Sequence, residues 1–147
     1  MAHYKHILLV TDLREDCDTV VKKAKYMLAE HSRLSVVHIV EEAVLAGGYE
    51  IVPIVPLGNE DELHSKAQSR MKEVLEKHNL TAQDVHIDTA LSTRRGILEY
   101  AAEIKPNLIV IGRHTRTGLS ALLGATADDI LPKVECDVLV VKLGAPV

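Results

Sequence analysis

The sequence predicts an α/β domain in which a parallel β-sheet carries helices on both faces. Short runs of branched apolar residues are typical of strands that are buried on both faces. These runs alternate along the chain with amphipathic helical segments, which is the order of β-α-β units. The length of 147 residues suits one domain. The sequence has no internal repeat, low-complexity segment or domain boundary, so residues 1–147 are predicted to form a single domain.

Nine predicted elements follow the order β-α-β-α-β-α-β-loop-α-β. Apolar runs define the strands, and stripes of apolar residues three and four positions apart define the helices. In chain order they are a strand at 7–10, a helix at 18–29, a strand at 34–40, a helix at 60–78, a strand at 85–91, a short helix from 95 or 96 to 104, a strand at 108–111, a short helix from 126 to about 131 and a strand at 137–143.

Local signals mark several of the element ends. Asp16 or Asp18 can cap the first helix. Pro106 disfavours helical geometry in the residue before it and therefore ends the third helix, and Gly112 is expected to stop the fourth strand. The glycines and prolines of residues 41–59 predict a long irregular connection, of a kind that is usually functional or mobile.

Composition argues against several classes of partner. The net charge of −4 and the pI near 6.0 provide no positive field for nucleic acid or an anionic membrane. No apolar stretch is long enough to span a bilayer, and the N-terminal residues do not form a signal peptide. Two cysteines, Cys17 and Cys136, are too few for a disulfide scaffold and indicate free thiols in a reducing cytoplasm. We therefore expect a cytoplasmic protein that binds neither nucleic acid nor membrane.

The predicted sheet has one obvious place for a ligand. In an open parallel sheet, ligands bind beyond the carboxyl ends of the strands, where the strand order reverses. The loops at 11–14 and 112–118 should face each other across that point. Glycines and the helix start at 124–126 suit a phosphate, Arg113 and Arg116 add positive charge, and the Asp12 carboxylate can accept hydrogen bonds from a ribose or hold a cation.

The helix start at 124–126 also has an explanation that involves no ligand. Thr126 and Asp129 approximate a capping box, with Asp in place of the usual Glu. That pairing alone accounts for a helix beginning here. Asp129 would also place negative charge where a phosphate would lie.

Five stretches of the chain resemble the universal stress protein family. They are YKHILLVTD at 4–12, LSVVHIV at 34–40, GILEYA at 96–101, LIVIGRHTRTGL at 108–119 and CDVLVV at 136–141. The resemblance implies a five-stranded doubly wound parallel sheet of order 3-2-1-4-5, of the adenine-nucleotide alpha-hydrolase-like type. It also implies a homodimer, often formed through the last strands, whose edge here is apolar and needs covering. The residues concerned are Val138, Leu139, Val140 and Val141.

The nucleotide motif of this family is only partly present. ATP-binding members carry G-x-x-G, a spacer of about nine residues and then G-S/T. Gly112 and Gly124 match the first and third glycines, but Thr115 replaces the second, and Ala125 stands where Ser or Thr is expected, with Thr126 following. The sequence thus lies between the ATP-binding class and the protein-A-like class, which lacks the motif.

The loops at the predicted reversal of strand order and the family resemblance together imply a binding site for ATP or an AMP-like ligand, with Mg²⁺ accompanying ATP. Asp12 would lie near the adenosine moiety, Val40 would border the adenine, and the glycine loop would face the ribose and phosphates. The full set is Thr11, Asp12, Leu13, Val40, Gly112, Arg113, His114, Thr115, Arg116, Gly118, Gly124, Ala125 and Thr126.

Three functions follow from these observations. The first is a stress-response regulator that binds adenine nucleotide with little or no turnover. The second is a homodimeric interaction protein that binds no nucleotide. The third, an enzyme of adenylyl or phosphoryl transfer, is disfavoured because the chain lacks a P-loop lysine. The eight histidines show no His-Glu-x-x-His spacing, so no metal site is predicted.

Overall fold

The computed structural model describes residues 4–13, 17–41, 44–46, 51–53, 59–90, 93–114 and 134–143. These residues form seven strands and three helices. In chain order they are β1 (His6–Val10), α1 (Cys17–Met27), β2 (Arg33–Glu41), β3 (Val44–Ala46), β4 (Ile51–Pro53), α2 (Asn59–Lys77), β5 (Asp84–Ala90), α3 (Thr93–Ile104), β6 (Leu108–His114) and β7 (Asp137–Leu143).

Five strands make one parallel sheet in the order β5-β2-β1-β6-β7. Counted along the chain, these are strands 3-2-1-4-5, so the predicted fold class and strand order are confirmed. The chain first winds outward from β1 through β2 to β5 and then returns to the other side of β1 with β6 and β7. The strand order therefore reverses between β1 and β6.

Alternate residues of the central strands enter two separate apolar layers. Ile7 and Leu9 of β1 pack with α1 and α2, whereas Leu8 and Val10 pack with α3 on the opposite face. Residues 7–9 are completely buried. Burial on both faces explains the unbroken apolar run of β1, because a strand with helices on each side has no solvent-facing position.

The fourth parallel strand is longer than the sequence predicted. Gly112 does not end β6, since the strand continues to His114 and pairs Gly112 with Val141 and His114 with Leu143. The neighbouring strand supplies hydrogen-bond partners for the backbone, and this outweighs the low strand propensity of an isolated glycine.

The segment at 41–59 was predicted to be irregular throughout, and this was wrong for its described residues. Glu41 still belongs to β2, and α2 already begins at Asn59. Between them, β3 and β4 form a separate antiparallel pair in which Leu45 lies opposite Val52. Apolar and branched residues in both short runs favour this strand pairing over the loop that the glycines and prolines suggested. The short helix predicted at 126–131 lies outside the described residues.

Helix ends differ from prediction in two informative places. Helix α3 starts at Thr93, so Gly96 lies inside it; a Cβ there would lie 2.6 Å from Cδ1 of Ile39, so the glycine serves close packing. Asp18 lies within the first turn of α1, and its carboxylate bonds to Lys77 and His78 instead of capping α1. The third helix ends at Ile104, as predicted from Pro106. No helix in the described part of the chain is long and apolar enough to cross a membrane.

Candidate functional site

The carboxyl ends of β1 and β6 lie where the strand order of the sheet reverses. The last residue pair in their register is Leu9 with Val110. Beyond that pair, β6 continues alongside β7 to His114, while β1 ends at Val10 and the chain turns away. Thr11, Asp12 and Leu13 therefore lie on the same rim as the end of β6, at the position where the strand order reverses.

Hydrogen bonds hold the turn that follows β1. Thr11 is 5% exposed, and its N–H donates to the carbonyl oxygen of Val37 at 3.1 Å. Its hydroxyl accepts a hydrogen bond from the Leu13 N–H at 3.1 Å. Leu13 has a φ of 59°, a left-handed conformation that costs a branched side chain free energy. Such local strain, maintained by surrounding contacts, is common at functional sites.

A residue that the sequence reasoning missed, His38, joins this turn. Its Nδ1 lies 2.9 Å from the carbonyl oxygen of Thr11. A carbonyl oxygen can only accept, so Nδ1 carries the proton and the Nε2 of the neutral ring is a hydrogen-bond acceptor. His38 and Val40 are two residues apart in β2 and thus lie on the same face of the sheet. A histidine between apolar residues near the end of the strand was the signal available in the sequence.

Gly112 has a different immediate role from the one the sequence suggested. We expected its missing side chain to let a ligand approach the backbone. A Cβ at this position would instead collide with Cδ1 of Leu143 and would lie 2.9 Å from Cγ2 of Val20. Gly112 is therefore needed so that α1 and β7 can pack closely around β6.

Cys17 lies directly beneath the turn, at the start of α1. Cys17 is 1% exposed and lies near the side chain of Thr11. Burial, followed by the nearby Asp18 carboxylate, raises the pKa of the Cys17 thiol. The thiol thus stays protonated and contributes to packing. Both cysteines are free, as expected.

The described residues include only part of the predicted site. Thr11, Asp12 and Leu13 lie on the rim, and Val40 lies near the end of β2. Gly112, Arg113 and His114 are the last three residues of β6. Predicted residues outside the described part of the chain are Thr115, Arg116, Gly118, Gly124, Ala125 and Thr126.

A second polar cluster lies at the opposite rim, where the strands begin. The fully buried Ser35 hydroxyl is 2.7 Å from Nε2 of His6 and 3.2 Å from Oδ2 of Asp84. The Arg33 guanidinium hydrogen-bonds Asp84 and holds the pKa of that carboxyl below its usual value, while burial lowers the pKa of His6. A cavity of about 600 Å³ opens beside them, with Tyr100 in its wall. These contacts satisfy a buried hydroxyl within the sheet.

The described residues contain no group of three or more His, Cys, Asp or Glu side chains arranged to hold a metal ion.

Comparisons with known proteins agree on one family. The family model described as "Universal stress protein family" matches residues 3–142. Universal stress protein A homolog 2 of Coxiella burnetii is 34% identical over 146 residues, covering 97% of this chain and 98% of the relative.

Two solved structures share the fold at low sequence identity. The universal stress protein UspA from Lactobacillus plantarum aligns with a TM-score of 0.70 and 19% identity, over 96% of this chain and 99% of that one. A universal stress protein in complex with cAMP aligns with a TM-score of 0.57 and 18% identity, over 95% of this chain and 98% of that one.

Proposed function

This chain belongs to the universal stress protein family, and on that premise we propose that it is a stress-response regulator that binds an adenine nucleotide with little or no turnover. The observation that carries the proposal is the reversal of strand order between β1 and β6. Pairing of these strands stops at Leu9–Val110, so Thr11–Leu13 and Gly112–His114 lie on the same carboxyl rim of the sheet. Ligands of open parallel sheets bind at such reversals of strand order. The cAMP complex of a structural neighbour supports an adenine nucleotide as the ligand class.

The described side chains suit the nucleoside part of the ligand. Asp12 offers a carboxylate to ribose hydroxyls, and Nε2 of His38 offers an acceptor to an N–H or O–H donor. Val40 offers an apolar surface to the base, as expected in a chain without Trp or Phe. Where ATP is the ligand, Mg²⁺ would arrive on its phosphates, and Asp12 could supply one carboxylate oxygen.

Calorimetric titration with Mg–ATP, AMP and cAMP tests this proposal. We expect saturable binding of at least one nucleotide, and we expect Asp12→Ala to weaken it about tenfold through loss of a charge-assisted hydrogen bond. Glu135→Ala is the matched control, because Glu135 is exposed just before β7 at the opposite rim; its affinity should equal that of the unmodified protein. A folded protein that shows no heat with any of the three would refute nucleotide binding and favour the interaction protein.

The incomplete glycine motif makes a further test possible. Thr115→Gly restores the G-x-x-G pattern and removes a Cβ where close backbone approach is expected. We expect tighter binding in the same titration. An unchanged or weaker dissociation constant would show that the second glycine is not what limits affinity here. Phosphate release measured alongside should stay far below the turnover of typical enzymes.

We also propose a cytoplasmic homodimer. The outer edge of β7 has no strand partner among the described residues, and Val138, Leu139 and Val140 are only partly buried there. An apolar edge strand of this kind is stabilised by pairing with a second copy. Two free thiols accord with a reducing compartment.

A further inference from the structure

The strand at the other end of the sheet, β5, also has an outer edge without a partner among the described strands. It is the terminal strand on that side, and no described strand pairs with its outer edge. Val85 is 48% exposed and, with Tyr26 of α1, is one of two exposed large apolar side chains among the described residues. An uncovered edge strand with an exposed apolar side chain is a template for pairing with another strand.

The two faces of β5 differ in chemistry. On the α3 face, the His86 ring stacks on Tyr100 with centroids 4.2 Å apart, and its Nε2 lies 3.6 Å from Oδ2 of Asp88. On the α2 face, Val85 and Ile87 line an apolar groove with Leu75. His86 and Asp88 keep 36% and 58% of their side-chain surface exposed. Both are therefore accessible to a strand placed alongside.

We infer that a second copy of this chain pairs antiparallel with β5, on a two-fold axis at Ile87. In that register His86 lies opposite Asp88 of the partner subunit, and the contact occurs twice because the axis makes it reciprocal. Val85 lies opposite the partner's Thr89 on the α2 face, and Ile87 lies opposite its own copy. Imidazole–carboxylate pairs and packed apolar pairs across two strands are both stabilising.

Charge selects this register over its neighbours. A two-fold axis perpendicular to the sheet leaves the α3 faces of both copies on the same side of the joined sheet. Residues directly opposite each other must then point to the same face, so the neighbouring symmetric registers are centred on His86 or Asp88. The first places Asp84 opposite Asp88, and the second places the two copies of Asp88 opposite each other. Like charges directly opposite on antiparallel strands are destabilising. The register centred on Ile87 instead brings unlike groups together.

Cysteine crosslinking tests the register directly. In a Cys136→Ser background, Ile87→Cys should form a disulfide-linked dimer on mild oxidation, because directly opposite residues lie within disulfide reach. Val85→Cys should not crosslink to itself, but it should do so when mixed with Thr89→Cys. If Ile87→Cys crosslinks no faster than Val85→Cys alone, the inference is wrong.

Charge variants test the same interface without a covalent bond. His86→Asp places two carboxylates opposite one another, so this protein alone should self-associate about tenfold more weakly in sedimentation. Asp88→Lys removes the carboxylate that faces His86 and should also weaken self-association. Mixed together, they should recover association, because the new carboxylate at 86 faces the new ammonium at 88. Recovery separates an interface effect from misfolding, and circular dichroism of each protein provides a second check.

Two controls complete this experiment. A Val140→Lys background removes pairing through β7, so that only the β5 edge is measured. Tyr26→Lys, at an exposed position on α1, should leave association unchanged. Equal association of all variants, or no recovery on mixing, would overturn the inference. Nucleotide titration of the same proteins tests the proposed ligand site separately, so that failure of one proposal can be distinguished from failure of the other.

Discussion

Gly112 shows how one residue type can serve two purposes. From the sequence, its glycine indicated a close approach of backbone to ligand. In the structure, the space that a Cβ would take is filled by Leu143 and Val20. The glycine is thus already required by the packing of α1 and β7 around β6, before any ligand is considered.

A substitution at this position tests the packing role. Gly112→Ala forces a methyl group against Leu143 and Val20, and we expect a loss of about 1–3 kcal/mol in the free energy of unfolding. Urea denaturation measures it. In a Leu143→Val background, which removes the colliding Cδ1 atom, the same change should cost less by about 0.5 kcal/mol or more. An equal cost in both backgrounds would contradict this account.

At the scale of elements, one carboxylate connects α1 to the end of α2. Asp18 accepts hydrogen bonds from Nζ of Lys77 at 2.8 Å and from Nε2 of His78 at 2.7 Å. These two contacts lower the pKa of Asp18 from 3.8 to about 2. Lys25 adds a hydrogen bond from Nζ to the His78 carbonyl oxygen at 2.7 Å. The two helices that cover one face of the sheet are thereby fastened to each other.

This contact predicts a pH dependence of stability. The folded-state pKa of Asp18 is lowered, so its stabilisation is present above about pH 4 and is lost as the pH falls through about 2. The difference between 3.8 and about 2 corresponds to at most about 2.4 kcal/mol, which solvent screening reduces to about 1 kcal/mol. Asp18→Asn should therefore be less stable at pH 5 by about 1 kcal/mol, and the difference should shrink towards pH 2.

Urea denaturation between pH 2 and 5 measures this difference. Glu73→Gln is a suitable control, because Glu73 forms an exposed ion pair with Arg70 and should change stability by less than about 0.5 kcal/mol. A gap between Asp18→Asn and the unmodified protein that stays constant over this pH range would rule out the Asp18 contact as its source.

At the scale of the whole molecule, the strands at the two ends of the sheet, β5 and β7, have no outer strand partner among the described residues. Pairing through both β5 and β7 would join sheets in an open series, because two isologous interfaces on opposite edges do not close. The candidate nucleotide site lies between these edges, on the carboxyl rim near β1 and β6. Association at the edges therefore leaves that rim accessible.

Sedimentation over a range of concentrations tests this arrangement. The unmodified protein should form species larger than a dimer as concentration rises, while His86→Asp alone should stop at a dimer held through β7. Val140→Lys alone should stop at a dimer held through β5, and the double variant should be monomeric. Persistent higher species in the double variant would mean that some other surface is responsible.

The sequence by itself determined the fold class and the rim on which the candidate site lies. Buried strands and amphipathic helices are local patterns, and their alternation leaves few arrangements for a parallel sheet. The order 3-2-1-4-5 was correctly predicted from the resemblance, and the turn at Thr11–Leu13 was correctly expected to follow the first strand.

Only the tertiary structure decided how neighbouring elements alter one another. The extension of β6 beyond Gly112 depends on hydrogen bonds from β7, and the close packing of α3 on Ile39 depends on the missing side chain of Gly96. The hydrogen bond from His38 to Thr11 joins residues 27 positions apart. Propensity describes a residue within its own segment, whereas these features arise from atoms that folding brings together from distant parts of the chain.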